Sequence, residues 1–166
     1  GKSVGADGAP VAGPSAPVTW GGVGTEAQHA VFQLLHQGTV PVPVEFVAVR
    51  EGADEQDGER RALLLLSAFA QGAALMSGHE SDDPARAEPG NRPSVTILVD
   101  RLDPRSLGAL LAFYEHRTFA NAVLIGCNPF DQFGVEYGKR LANALAEGES
   151  DAADPSTRAL IEKAGL

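Results

Sequence analysis

The chain has a single cysteine, Cys127, so it cannot close a disulfide within itself. A lone thiol suits a reducing compartment, and a cytoplasmic setting is expected. Long apolar runs are missing too. No stretch reaches the roughly 20 residues that a membrane-spanning helix needs, and the first residues do not resemble a signal peptide. Positive charge is scarce: 13 Lys and Arg against 22 Asp and Glu leave a net charge of −9, with no basic run. This balance argues against nucleic acid and anionic membrane as main partners. It also sets a condition on any anionic substrate. A phosphate would have to be held by backbone amides, hydroxyls, a helix N-terminus, or a part of the molecule outside this chain. There is no HExxH, no paired cysteine, no P-loop and no GxSxG, so no metal site or common nucleophile motif is expected. Internal repeats are absent. So is an initiator Met, which reads as a piece of something longer or a processed product.

What is present is a domain-sized length of 166 residues with 43% apolar content, enough for one real core. Residues 1–17 are rich in Gly, Pro and Ala without a period, and are expected to be a flexible segment; residues 18–166 are expected to form the domain portion. Residues 18–21 are a short strand candidate. The spacing of Ala30, Val31, Leu34 and Leu35 predicts a helix over 25–36, with Thr25 and Gln28 as a capping box. Valine-rich residues 42–49 and residues 94–99 read as strands, the first apolar on both faces and so covered on both sides. Between them lie a charged loop over 53–58, a helix over 59–76 and a polar loop over 78–93. Residues 62–66 are apolar almost all round, which places that helix between layers. Asp103 and Pro104 open a helix reaching about His116, with Glu115 and His116 read as its termination. Residues 118–126 are ambiguous between helix and strand, and a last helix over 156–164 follows Asp154 and Pro155. Strands alternating with helices imply an α/β layer fold with a parallel sheet.

Five places can carry chemistry, one of them Glu115-His116 at its helix end, where a positive side chain is favourable and termination is the better reading. His29 sits in the first turn of its helix, where terminal amides and the dipole disfavour the imidazolium. A neutral imidazole there could exchange a proton with a ligand, or it could be a surface histidine on a capped helix. His36, seven residues on and on the same face, reads as a structural histidine. Asp131 and Gln132 are either helix caps or ligand hydrogen-bonders. Lys139 is the sharpest case. In a helix over 134–146, Val135, Gly138, Ala142, Leu145 and Ala146 form an apolar stripe, and Lys139 lies on its edge beside Val135 and Ala146. Glu136, Arg140, Asn143 and Glu147 take the opposite face. An ammonium turned inward needs a partner or a job; otherwise its stem merely covers apolar surface.

Taken together, FDQFGVEYGK at 130–139 and GTEAQHAVFQLLHQGT at 24–39 closely resemble two signatures of the glucose-6-phosphate isomerase family. GNRPS at 90–94 and LGALLAFYEH at 107–116 agree with it, and the resemblance extends over nearly everything after Trp20. It implies two sugar-isomerase (SIS) domains per subunit. Each is a three-layer α/β sandwich about a parallel sheet flanked by helices, and this chain would be incomplete at its N-terminal side. It implies a homodimer that interconverts glucose 6-phosphate and fructose 6-phosphate in glycolysis and gluconeogenesis, without metal or organic cofactor. By motif, His29 matches a ring-opening histidine acting in the neighbouring subunit's site. Lys139 matches a lysine near the ring and C1 oxygens, and Gln132 a substrate-contacting glutamine. The glutamate that moves a proton between C2 and C1 through a cis-enediol belongs to a run of the form MESNGK. Residues Gly1-Lys2-Ser3-Val4 look like the tail of that run, so the base is expected upstream of Gly1. An N-terminal part of the same enzyme would supply it, together with the phosphate cradle.

Departures from the family pattern are local. WGGVGTEAQH stands where the family has WGEPGTNGQH, changing Gly22, Val23, Glu26 and Ala27, and Ala122 replaces a usual glycine. Glu26 adds a negative charge near an anionic substrate. The expected role is therefore the C-terminal segment of an aldose–ketose isomerase, inactive alone. The alternative is a non-catalytic SIS-type module that binds sugar phosphates or regulates a partner.

Overall fold

Two segments rich in valine and other β-branched residues pair side by side in the computed structural model, which describes residues 1–51 and 58–166. Strand β1, Val44–Glu51, and strand β2, Ser94–Arg101, run parallel, in register from Val44 opposite Ser94 to Glu51 opposite Arg101. Both expected strands are present, each ending two residues later than the pattern indicated. A parallel pair needs a long crossover. Helix α2, Gly58–Ser77, provides it and packs on both strands. The charged loop expected before α2 falls on residues outside those described, apart from Gly58, which opens the helix.

The chain divides into two units, one of Ala16–Arg117 and one of Gly1–Ser15 with Thr118–Leu166. The first holds the sheet, α2 and helix α1, Gly24–Gln37. It is α/β with a parallel sheet flanked by helices, as expected. On β1, Glu45 accepts a hydrogen bond from the Tyr114 hydroxyl at 3.0 Å and pairs with Arg117, both side chains from helix α3, Pro104–Ile125. Lost hydration, then the Glu45 carboxylate, raise the Tyr114 hydroxyl above its ordinary pKa. The sheet has only two strands among the described residues. This explains the main disagreement with the apolar pattern. Leu63 and Leu66 of α2, expected between layers, are 67% and 62% exposed, whereas Leu75 is fully buried. Two strands are too narrow to cover the whole helix. Likewise, of β1 only Ala48 is buried, although the strand's apolar faces predict cover on both sides.

Three further expectations need correcting. Residues 18–21 form no strand, and Val18 stands 88% exposed with no neighbouring strand to pair with. Helix α3 does not stop near His116, and the ambiguous 118–126 stretch is helical almost to its end. Between 109 and 125 there is neither Gly nor Pro to break it. Glu115 and His116 are therefore interior to α3, and His116 Nδ1 lies 2.6 Å from Ala112 O. The helix ends at Gly126, whose φ of 79° only glycine adopts freely. Gly126 N donates to Val123 O and Cys127 N to Ala122 O. Asp103 caps α3 as expected, accepting from Ser106 N at 2.8 Å. Helix α4, Glu136–Ala146, follows a 3-10 turn at Phe133–Val135, and helix α5, Pro155–Ala164, is capped by Asp154.

Residues 1–17 contain no helix or strand, but the first fifteen fold back on themselves and onto the end of α3. Gly5 N donates to Ala9 O at 2.8 Å, Val11 N to Ser3 O at 2.9 Å, and Ala6 N to Gly126 O at 2.7 Å. No helix among the described residues is long and apolar enough to cross a membrane.

Candidate functional site

Helix α1 carries the two histidines. It starts one residue earlier than the pattern indicated, with Val23 at the N-cap and no side-chain cap, so Thr25 and Gln28 form no capping box. The amides of Glu26 and Ala27 instead donate to Val23 O. His29 consequently lies in the second helical turn rather than the first, beyond the unpaired terminal amides. Its side chain is exposed. One heptad on, His36 occupies the same face and is held on both sides. Its Nδ1 is 3.3 Å from Glu88 Oε2, and its Nε2 is 3.4 Å from Gln71 Oε1. His36 is thus the satisfied structural histidine that its position on the face indicated. His29 and His36 line one shallow cleft of about 380 Å³ with Gln28, Phe32, Gln71 and Glu88.

The far end of α1 is gripped by the loop that follows α2. Arg92 Nε donates to His36 O at 3.1 Å and Arg92 Nη2 to Gly38 O at 2.7 Å. Gln37 Nε2 donates to Ala85 O and Ala87 O. The Arg92 bonds use carbonyls that a helix C-terminus leaves unpaired, and the Gln37 bonds tie the last residue of α1 to the loop. They fix the axis of α1, and hence the direction in which His29 leaves it. A larger hollow beneath the same loop, about 910 Å³, is lined by Glu80, Asp82, Glu88 and His79. Its acidic wall is unsuited to an anion, and none of the expected site residues reaches it.

Gln132 and Lys139 belong to the other unit. Gln132 is exposed and precedes the 3-10 turn, which its side chain does not cap. Its neighbour Asp131 does not cap a helix either. One Asp131 oxygen pairs with Lys2 Nζ and the other accepts from Asn128 Nδ2 at 2.7 Å. Asn128 Oδ1 in turn accepts from Phe130 N at 3.1 Å. The expected apolar stripe of α4 is displaced. Leu141, Ala144 and Leu145 are the partly covered positions, while Val135, Gly138 and Ala142 are exposed. Two residues along a helix turn the side chain by about 200°, so Lys139 lies nearly opposite Leu141. Its ammonium is exposed and makes no ion pair among the described residues. Neither the inward lysine nor the lysine covering an apolar stripe describes it. Among the described residues, no group of three or more His, Cys, Asp or Glu could hold a metal ion.

The family model for phosphoglucose isomerase matches residues 1–161. The chain belongs to that family. Among phosphoglucose isomerase relatives, the glucose-6-phosphate isomerase of Rhizorhabdus wittichii is 66% identical over 164 residues, covering 99% of this chain and 33% of the relative. The glucose-6-phosphate isomerase of Sphingopyxis alaskensis is also 66% identical over 164 residues, with 99% and 32% covered. The crystal structure of a glucose-6-phosphate isomerase from Chlamydia trachomatis superposes with a TM-score of 0.83 at 36% identity, covering 99% of this chain and 32% of that one. The chain spans about one third of the length of these phosphoglucose isomerases.

What the chain brings together is partial. His29 keeps company with His36 in one unit; Gln132 follows the Lys2–Asp131–Asn128 cluster in the other. That cluster was missed on sequence, where Asp131 reads only as a cap or ligand residue and Lys2 only as part of a motif tail. No local pattern could join two residues 129 positions apart.

Proposed function

We propose that this chain is the C-terminal segment of a glucose-6-phosphate isomerase, a cytoplasmic homodimer that interconverts glucose 6-phosphate and fructose 6-phosphate. The observation that carries the proposal is 66% identity over 164 residues to a glucose-6-phosphate isomerase. In this reading residues 18–166 are the C-terminal portion of an SIS-type domain, and residues 1–17 lead into it from the remainder of the enzyme. His29, presented on a helix anchored at its far end, moves a proton at the sugar ring oxygen during ring opening, in the site of the partner subunit. Lys139 sets its ammonium against the ring and C1 oxygens as negative charge develops there. Gln132 holds a substrate hydroxyl. The carboxylate that carries the proton between C2 and C1, and the groups that hold the phosphate, come from the rest of the enzyme. That division of labour accommodates a net charge of −9 in a protein with an anionic substrate.

The test is a coupled turnover assay on the full-length protein and on the 166-residue chain alone. The full-length protein is expected to interconvert the two sugar phosphates, and the isolated chain to show no measurable turnover. General base catalysis alone is worth on the order of 10²- to 10⁴-fold, and positioning is lost as well. Turnover by the isolated chain within tenfold of the full-length protein contradicts the division of labour. A full-length protein that binds sugar phosphate but does not interconvert it is a binding module instead.

A further inference from the structure

We propose that Lys2 is a positioning residue for the isomerase site, acting through the carboxylate of Asp131; this rests on the functional reading above. Lys2 and Asp131 are 129 positions apart in sequence, yet their side chains form an ion pair that is only 25% and 22% exposed. The pair does not stand alone. The second Asp131 oxygen accepts from Asn128 Nδ2 at 2.7 Å, and Asn128 Oδ1 receives Phe130 N, which folds the loop ahead of Gln132 around the carboxylate. On the other side, Lys2 N donates to Ser15 Oγ at 2.8 Å, Ser3 O accepts from Val11 N, and Ala6 N reaches Gly126 O. The segment that opens the chain and the loop leading into Gln132 and α4 are therefore one hydrogen-bonded block. Lys2 is the charged contact joining them.

Two physical consequences follow. Asp131 is covalently adjacent to Gln132, so a loop released from the tether at the Asp131 carboxylate shifts the backbone that carries Gln132. The charge also matters. With Lys2 in place the Asp131 carboxylate is neutralised; without it, an unpaired and mostly covered anion stands one residue from a group that meets an anionic sugar phosphate. Covering a charge without its partner is costly, and the loop would rearrange to expose it. Displacements of about 1 Å in a positioning group cost up to roughly 10²-fold in rate.

The experiment uses the full-length protein, with kcat and KM measured per folded site alongside Tm. Lys2→Met is expected to lower kcat/KM between roughly tenfold and a hundredfold, with a fall in kcat as well as a rise in KM. Lys2→Arg, which keeps the charge and the donor, is expected to recover most of the activity. Asp131→Asn, of nearly unchanged size, is expected to impair turnover in the Lys2 protein. Placed in the Lys2→Met background it should cost little more, because the two residues act as one unit. A purely structural pair would lower Tm and the yield of folded protein while leaving kcat per folded site unchanged. That result overturns the proposal, as does Lys2→Met with kcat/KM within twofold of the unsubstituted protein. If Lys2→Met does not fold, Asp131→Asn decides alone by the same criterion. Lys139→Ala in the same assay separates the two levels of failure. Loss there but not at Lys2 refutes the positioning role only. An unsubstituted protein without turnover refutes the functional reading and the positioning role with it.

Discussion

At the scale of single residues, the two histidines of α1 show how far position on a helix face can carry an assignment. His36 was legible as structural because it follows His29 by seven residues on a face that also carries Phe32, and the fold supplies Glu88 and Gln71 as its partners. Lys139 is singled out by its motif, but its environment is not the one the apolar pattern indicated. The apolar stripe that would have turned it inward assumed a helix over 134–146. The 3-10 turn at Phe133–Val135 takes Val135 out of the helix, and α4 partly covers Leu141, Ala144 and Leu145 instead, which leaves the lysine on the open side. In the full-length protein, Lys139→Ala is expected to lower kcat by on the order of 10²-fold or more, with a smaller rise in KM. The reason is that charge on the ring and C1 oxygens grows toward the transition state. Steady-state kinetics decide it: a change confined to KM would make Lys139 a uniform binder.

At the scale of elements, local rules worked wherever a segment closes its own hydrogen bonds. The Asp-Pro starts of α3 and α5 were both readable, and both aspartates accept amide hydrogen bonds from the first turn. Those bonds favour the ionised carboxyl. For Asp103 the Ser106 amide contributes most, and for Asp154 the Thr157 hydroxyl; both groups lie below their ordinary pKa. The sign follows from linkage. A carboxyl more acidic in the folded state stabilises the fold above its unfolded pKa, and that contribution is lost as pH falls through the folded value. Asp154→Asn retains an N-cap acceptor, so it is expected to leave Tm near neutral pH almost unchanged. It should also flatten the fall in Tm on acidification. An equally steep acid limb in the variant, measured by thermal melts across pH, would remove Asp154 from the explanation.

The elements were less legible where the apolar pattern implies more cover than the described residues give. The all-round apolar run in α2 implied a helix between layers, yet only its far end, at Leu75, is fully covered here. Leu75→Ala is expected to cost roughly 2–5 kcal/mol in the full-length protein, as at a site with no room to relax. A loss under 1 kcal/mol in chemical denaturation would show that α2 repacks around the gap.

At the scale of the whole molecule, many large apolar side chains among the described residues are exposed. Leu63 and Leu66 on α2, Val95 and Leu98 on β2 and Phe130 before the 3-10 turn are all exposed. A two-stranded parallel sheet has two open edges, which soluble folds extend or cover. Both features fit a chain one third as long as its relatives. The family was legible in the sequence because FDQFGVEYGK and QHAVFQLLHQGT are spelled out contiguously; the ion pair joining Lys2 to Asp131 was not, because it exists only once the chain is folded. The claim that this segment supplies side chains to sites shared between two subunits has one direct measurement. Full-length His29→Ala and full-length Lys139→Ala, each inactive alone, are co-refolded in equal amounts and assayed for interconversion of the two sugar phosphates. In mixed dimers one site carries both lesions and the other neither. Random assortment makes about half of the dimers mixed, so activity is expected to return to about a quarter of the unsubstituted protein. Verified mixed dimers with no recovered activity would contradict the account and return His29 to its own chain's site or to a structural role.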